Sequence, residues 1–145
     1  MSVEENKALI RRLEVALNSA QVDAGLDLFA EEILYNGQRI DRQALVQVRA
    51  PLWVAVPDVR WTIETLVAEG DEVATLWTVH GTHQEDFDHP ALGRAPASGK
   101  PIHYAYMVIH RIVDGQIVEA RDVSDRLTLL GQLGVIRLPG VGTES

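Results

Sequence analysis

Residues 109–134 read IHRIVDGQIVEARDVSDRLTLLGQLG. Two apolar-alternating runs flank Asp114-Gly115, which predicts a β-hairpin. Asp125 then caps a helix over 126–133, and Gly134 ends it. We expect a three-residue turn over 113–115, with Gly115 left-handed as a bulge. That turn pairs Ile112 with Gln116, His110 with Val118, Val108 with Ala120 and Tyr106 with Asp122. One face then carries Tyr104, Tyr106, Val108, His110, Val118, Ala120 and Asp122. A two-residue turn at Asp114-Gly115 would instead pair Asp122 with Met107 and exchange the faces, because strand side chains alternate. The opposite face holds Met107, Ile109, Arg111, Glu119 and Arg121, whose charges suit solvent or a partner subunit. The first face is apolar and aromatic with a few convergent polar atoms, as ligand pockets are. A carboxylate on it must find a partner, reach water, or act as a base of raised pKa. Function turns on which of these Asp122 does.

The rest of the chain supplies walls for that face. Residues 3–18 predict an amphipathic helix, with Ser2 and Glu5 as a capping box. Residues 22–30 predict a second short helix, and 33–35 a short extended piece ending at the turn Asn36-Gly37. Asp41 should cap a third helix over 42–54. Residues 59–68 and 72–83 alternate in Val, Thr, Ile and Trp around Glu69-Gly70-Asp71, a second hairpin. Residues 84–101, with three prolines and two glycines, predict a long loop. Residues 102–113 and 116–124 are the strands of the last hairpin. Helices first and strands after them make an α+β fold: a cone-shaped, curved antiparallel sheet covered by the N-terminal helices. The expected domain is residues 1–138, with 139–145 a flexible tail.

The totals narrow the classes. The 145 residues suit one domain. There are no cysteines, and the N-terminal MSVEENKALIRR lacks the apolar run of a secretory leader, so we expect a reducing cytoplasm. The formal charge of −8 argues against a nucleic-acid binder, and no apolar run is long enough to suggest a membrane span.

Several of these stretches together resemble the SnoaL-like polyketide cyclase family. That family lies within the nuclear transport factor 2 and ketosteroid isomerase fold class. The resemblance runs through KALIRRLEVALNSAQVDAGLDLFAEEILYNG, Val56-Pro57-Asp58-Val59 and VAEGDEVATLWTVHGTH. It finishes on HRIVDGQIVE and RDVSDRLTLLGQLG, the most specific parts. It implies a cone of antiparallel strands closed by helices, usually dimeric. In members that close an aromatic polyketide ring, the Arg-Asp of the last strand supplies the acid/base, which points to Asp122 preceded by Arg121. Those members place a histidine where this chain has Val108, which leaves His110 or Tyr106 as the displaced polar partner. The polar position of the first strand falls on Tyr35 or Asn36. Some relatives hydroxylate polyketides instead, so the fold does not decide the reaction.

The residues allow that chemistry. Aldol closure needs a proton removed from a carbon between carbonyls and a proton returned to the new alkoxide. One carboxyl group can do both if burial lifts its pKa toward the working pH. Ketosteroid isomerase already works with an aspartate base in a related role. Tyr35, Asn36, Tyr106 and His110 are candidate hydrogen-bond donors to the enolate. Trp53, Trp61, Trp77, Phe87 and Tyr104 are candidate walls for a planar substrate. No phosphate-cradling or dinucleotide motif is present, and the chemistry asks for no cofactor. His80, His83, Glu85, Asp86 and His89 resemble a metal cluster, but odd spacing sends His80 and His83 to opposite faces, so we expect no metal. The plainer readings are that Asp122 pairs with Arg121 or Arg111, that Asp125 only caps, and that the tryptophans only fill the core. The competing functions are a hydroxylase, a non-catalytic binding module and a purely structural dimerisation domain.

Overall fold

Ser2 starts the first helix by a reciprocal cap. Its hydroxyl accepts from the Glu5 N–H and its own N–H donates to the Glu5 carboxylate, each at 3.1 Å. The computed structural model describes residues 2–137; the expected tail, 139–145, lies outside them. Helix α1 (Val3–Leu17) buries Leu9, Ile10, Leu13 and Leu17. Strands β1 (Phe29–Tyr35) and β2 (Gln38–Asp41) follow, then helix α2 (Ala44–Ala55). Strands β3 (Arg60–Glu69) and β4 (Glu72–Thr82) form one long hairpin, β5 (Phe87–His89) and β6 (Gly93–Ala95) a small one. Strands β7 (Pro101–Val113) and β8 (Gln116–Ser124) form the last, before helix α3 (Arg126–Leu133). The fold is α+β. Its main sheet has the order β2-β1-β8-β7-β4-β3 and does not close.

Helix α1 shields one open edge. The Asn18 amide accepts from the Trp61 N–H and donates to the Trp61 carbonyl, both at 2.8 Å, and Glu14 accepts from the Ile63 N–H at 2.8 Å. Edge groups of β3 that would otherwise pair with another chain are satisfied there.

Five expectations need correction. The sheet is mixed: β1 runs parallel to β8, pairing Tyr35 with Ala120. Residues 22–30 are no helix; a single 3₁₀ turn, Leu26–Leu28, leads straight into β1. Phe29 is buried as a strand residue, so the sheet claims what local pattern assigned to a helix. The extended piece at 33–35 is the end of a seven-residue strand, and β2 pairs with it across Asn36-Gly37, both at positive φ. Residues 84–101 are not a bare loop, since β5 and β6 pair there.

The fifth correction is the register of the last hairpin. Asp114 and Gly115 both take positive φ, 51° and 77°, so the turn has two residues and pairs Val113 with Gln116. A β-bulge then follows: Ile112 faces Ile117 and Arg111 faces Glu119, which leaves Val118 unpaired. Beyond it His110 faces Ala120, Val108 faces Asp122 and Tyr106 faces Ser124. Turn and bulge each move the pairing by one residue. The two shifts sum to an even number, so every partner is displaced while each side chain beyond the bulge keeps its face. Ile117, fully buried, replaces Val118 on the inner side.

Candidate functional site

The concave face of the sheet, α2, α3 and the β5–β6 hairpin enclose a cavity of about 240 Å³. It is just below the usual range of small-molecule pockets, roughly 300–1,000 Å³. Leu45, Val48 and Leu52 of α2 form one side and Phe87, His89 and Leu92 another; Val48 is half exposed.

Asp122 lies on the cavity wall, half-buried, near the end of β8. Asn36 holds it. The Asn36 amide donates to Asp122 Oδ1 at 2.7 Å, and Asn36 Oδ1 accepts from the Asp122 N–H at 2.9 Å. Asn36 can do this because its φ of 48° turns the chain sharply after β1, while its own N–H donates to the Ala120 carbonyl at 2.9 Å. No backbone N–H, arginine or lysine occupies the second carboxylate oxygen, Oδ2, among the described residues. The pairing of Asp122 with Arg121 or Arg111 is overturned. Arg111 bonds Glu119 at 3.3 Å, and Arg121 bonds Glu72 at 3.0 Å on the outer face. Arg121 therefore does not line the cavity, because neighbouring residues of a strand point to opposite sides.

Three tyrosines stand in the same wall: Tyr35, Tyr104 and Tyr106. Burial and the nearby Asp122 carboxylate push the Tyr35 hydroxyl up to about 12. Burial likewise raises Tyr104 and Tyr106, with Asp122 adding to it. All three stay protonated in ordinary conditions, so they offer hydrogen-bond donors and not bases. Tyr106 stacks on Trp77 at 6.1 Å between ring centroids, tilted by only 4°. Trp53 and Trp61 meet at 4.4 Å between ring centroids. Trp53, Trp61, Trp77, Phe87 and Val108 all line the cavity, and Trp77 is also fully buried core.

His110 belongs to the floor. It packs edge-on against Phe29 at 6.3 Å, and its Nδ1 has no hydrogen-bond partner among the described residues. Burial alone lowers its pKa to about 4, so the ring is neutral. Asp122 does not contribute to that shift, unlike those of the tyrosines. The hydrogen-bond partner of Asp122 among the described residues is thus Asn36 and not His110 or Tyr106, the two expected to take that place.

Sequence reasoning missed four polar lining residues: Arg49, His89, Ser124 and Arg126. Arg49 had a signal, as the only charged residue in the α2 sequence ALVQVRAPLWVA. Its Nη1 donates to the carbonyls of Val22 and Ala24 at 3.0 and 2.9 Å, and its guanidinium lies over Trp53 at 5.7 Å. Asp125 caps α3 as expected, accepting from the Thr128 N–H at 3.2 Å and the Thr128 hydroxyl at 2.7 Å. His83 is buried with Nδ1 at 3.2 Å from Ser98 Oγ, and His89 Nδ1 accepts from two backbone N–H groups at 3.0 Å. Among the described residues no three metal-capable side chains gather, and no helix is long and apolar enough to cross a membrane.

Comparison with known proteins agrees with this geometry. No curated protein matches the chain at a significant level. Among solved structures, AclR from Streptomyces galilaeus, a candidate hydroxylase, superposes with a TM-score of 0.81 at 25% identity, covering 94% of this chain and 85% of AclR. IdmH from Streptomyces antibioticus, a candidate polyketide cyclase, gives 0.74 at 28% identity, over 89% of this chain and 98% of IdmH. TsrD from Streptomyces laurentii gives 0.78 at 25% identity, over 94% and 99%. The profile of the SnoaL-like polyketide cyclases matches residues 7–133, and the chain belongs to that family.

Proposed function

We propose that the protein is a cofactor-independent enzyme of polyketide biosynthesis that closes a ring by intramolecular aldol addition. The observation that carries this reading is Asp122: a carboxylate on the wall of an aromatic cavity, fixed through one oxygen by Asn36 and close enough to the tyrosines to act on their hydroxyls. Asp122 Oδ2 takes a proton from a carbon between two carbonyls. The resulting carbanion attacks a ketone carbon of the same molecule; the new C–C bond forms as the C=O π bond breaks to an alkoxide. Asp122, now a carboxylic acid, returns the proton to that alkoxide and is regenerated. Tyr106 and Tyr35, held protonated, donate to the enolate oxygen. His110 meets the buried end of the substrate as a neutral imidazole, and Trp53, Trp61, Trp77, Phe87 and Tyr104 hold the planar ring system. We also propose that the protein is a cytoplasmic homodimer.

Asp122→Asn keeps the size of the side chain and removes the base. Turnover of a multi-carbonyl polyketide substrate, followed by chromatography, should fall by roughly 10²–10⁴-fold with the fold intact. Undiminished ring closure by this variant would remove the reading. The likeness to AclR favours a second one, in which the same cavity hosts hydroxylation. A product one oxygen atom heavier than the substrate, with no new ring, would select it. Binding without any product would select a non-catalytic module.

A further inference from the structure

Charge within the cavity is distributed against the charge of the chain. The protein carries a formal −8. Yet the cavity lining contains Arg49 and Arg126 against a single carboxylate, Asp122. Neither arginine forms a salt bridge among the described residues. Arg126, at the start of α3, is exposed and screened by water. Arg49 is different. It projects from an otherwise uncharged helix, partly buried, beside Tyr35 and Tyr106. Two backbone carbonyls occupy its Nη1 but neutralise no charge. The Asp23 carboxylate acts on it only from beyond salt-bridge distance, and a partly buried guanidinium without a paired anion is costly. It fixes a fork of donors that fits two oxygens sharing one negative charge.

We propose that Arg49 is a specificity-determining residue that selects a planar aromatic ligand bearing one anionic oxygen group, a carboxylate or an ionised β-dicarbonyl. The assignment rests on the enzymatic reading for the ligand's aromatic class, but its charge argument needs no turnover. Trp53 lies under the guanidinium and packs on Trp61, so the ligand ring stacks on this pair where its anionic edge reaches Arg49. The reacting carbon then faces Asp122. The same charge offsets the repulsion between the ligand's anionic group and the Asp122 carboxylate when the ligand first binds.

Quenching of tryptophan fluorescence measures the binding. The probes are naphthoic acid with its methyl ester, and hydroxynaphthoquinone, ionised at neutral pH, with its methyl ether. The wild-type protein should bind at least one acid about tenfold more tightly than its methylated partner, the size of one charge-assisted hydrogen bond. The two pairs tell a carboxylate from an ionised β-dicarbonyl. Arg49→Gln should abolish the difference while binding the neutral partners as before. If Arg49→Gln fails to fold, Arg49→Lys, which keeps the charge but loses the fork, should weaken the preference severalfold. Equal binding of acid and methylated forms in the wild type overturns the assignment, as does a preference that survives Arg49→Gln or is undiminished in Arg49→Lys. Asp122→Asn should keep the preference even where it destroys turnover, so failure of the catalytic reading leaves a separate mark.

Discussion

Asp122 and His110 share one face of the same hairpin, and they meet opposite fates. Asp122 stands half-buried, with Asn36 donating to one oxygen. His110 stands at the closed end against Phe29, with its Nδ1 unpartnered among the described residues and its pKa lowered to about 4. At the wall Asn36 holds Asp122 by two hydrogen bonds; the floor keeps its titratable group neutral. Thr75 Oγ1 and Trp77 Nε1, on the strand beside His110, likewise have no hydrogen-bond partner among the described residues. Which face of a strand a residue occupies decides whether it reaches the cavity. How deep it sits decides what charge it can carry there.

That contrast can be tested from its strongest point downward. Trp77 is fully buried and stacks on Tyr106, so Trp77→Ala should cost about 3–5 kcal/mol in chemical denaturation. A loss below about 1 kcal/mol would mean that the floor is not close-packed.

His110 should make stability depend on pH. Well above its ordinary value of 6.5 the ring is neutral in folded and unfolded chains alike, and it contributes no slope. As pH falls from 6.5 toward about 4, the unfolded chain takes up the proton and the folded chain does not. Stability therefore drops, by on the order of 3 kcal/mol once the folded-state value is reached. His110→Phe should lack that loss. The test is the difference between the two denaturation series, in which other titrating groups cancel; parallel series would put His110 in water.

At the wall, Asn36→Ala should lower turnover by about tenfold and stability by about 1–2 kcal/mol. It leaves Asp122 present but unheld and keeps a β-carbon at positive φ without the compensating hydrogen bonds. Full activity in that variant would show that Asp122 needs no positioning. The smallest effect belongs to the outer face. Glu72→Gln removes the solvent-exposed pair with Arg121 and should change stability by less than about 0.5 kcal/mol. A larger change would mark the outer face as covered.

Much of this is legible in the residues, for reasons that particular positions make plain. Ser2 and Glu5, Asn36-Gly37, Asp114-Gly115, Asp125 and Gly134 act within a few positions of themselves, so their caps and turns follow from local chemistry. Arg49 is visible as a lone charge in an apolar helix, but nothing local says that the helix faces the cavity. The β5–β6 hairpin stays hidden because its strands have three residues each, too few for a period to register.

The sequence by itself determined most of the elements, the caps, the polarity of each strand face and the family to which the chain belongs, because these depend on neighbours or on pattern. Only the tertiary structure decided that β1 lies parallel beside β8, that a bulge at Val118 offsets the shift at the turn, and that Asn36 reaches Asp122 from 86 positions away. The physical reason is that a hydrogen bond between distant segments forms only after the sheet has brought them together, and no short window of residues contains both ends of it.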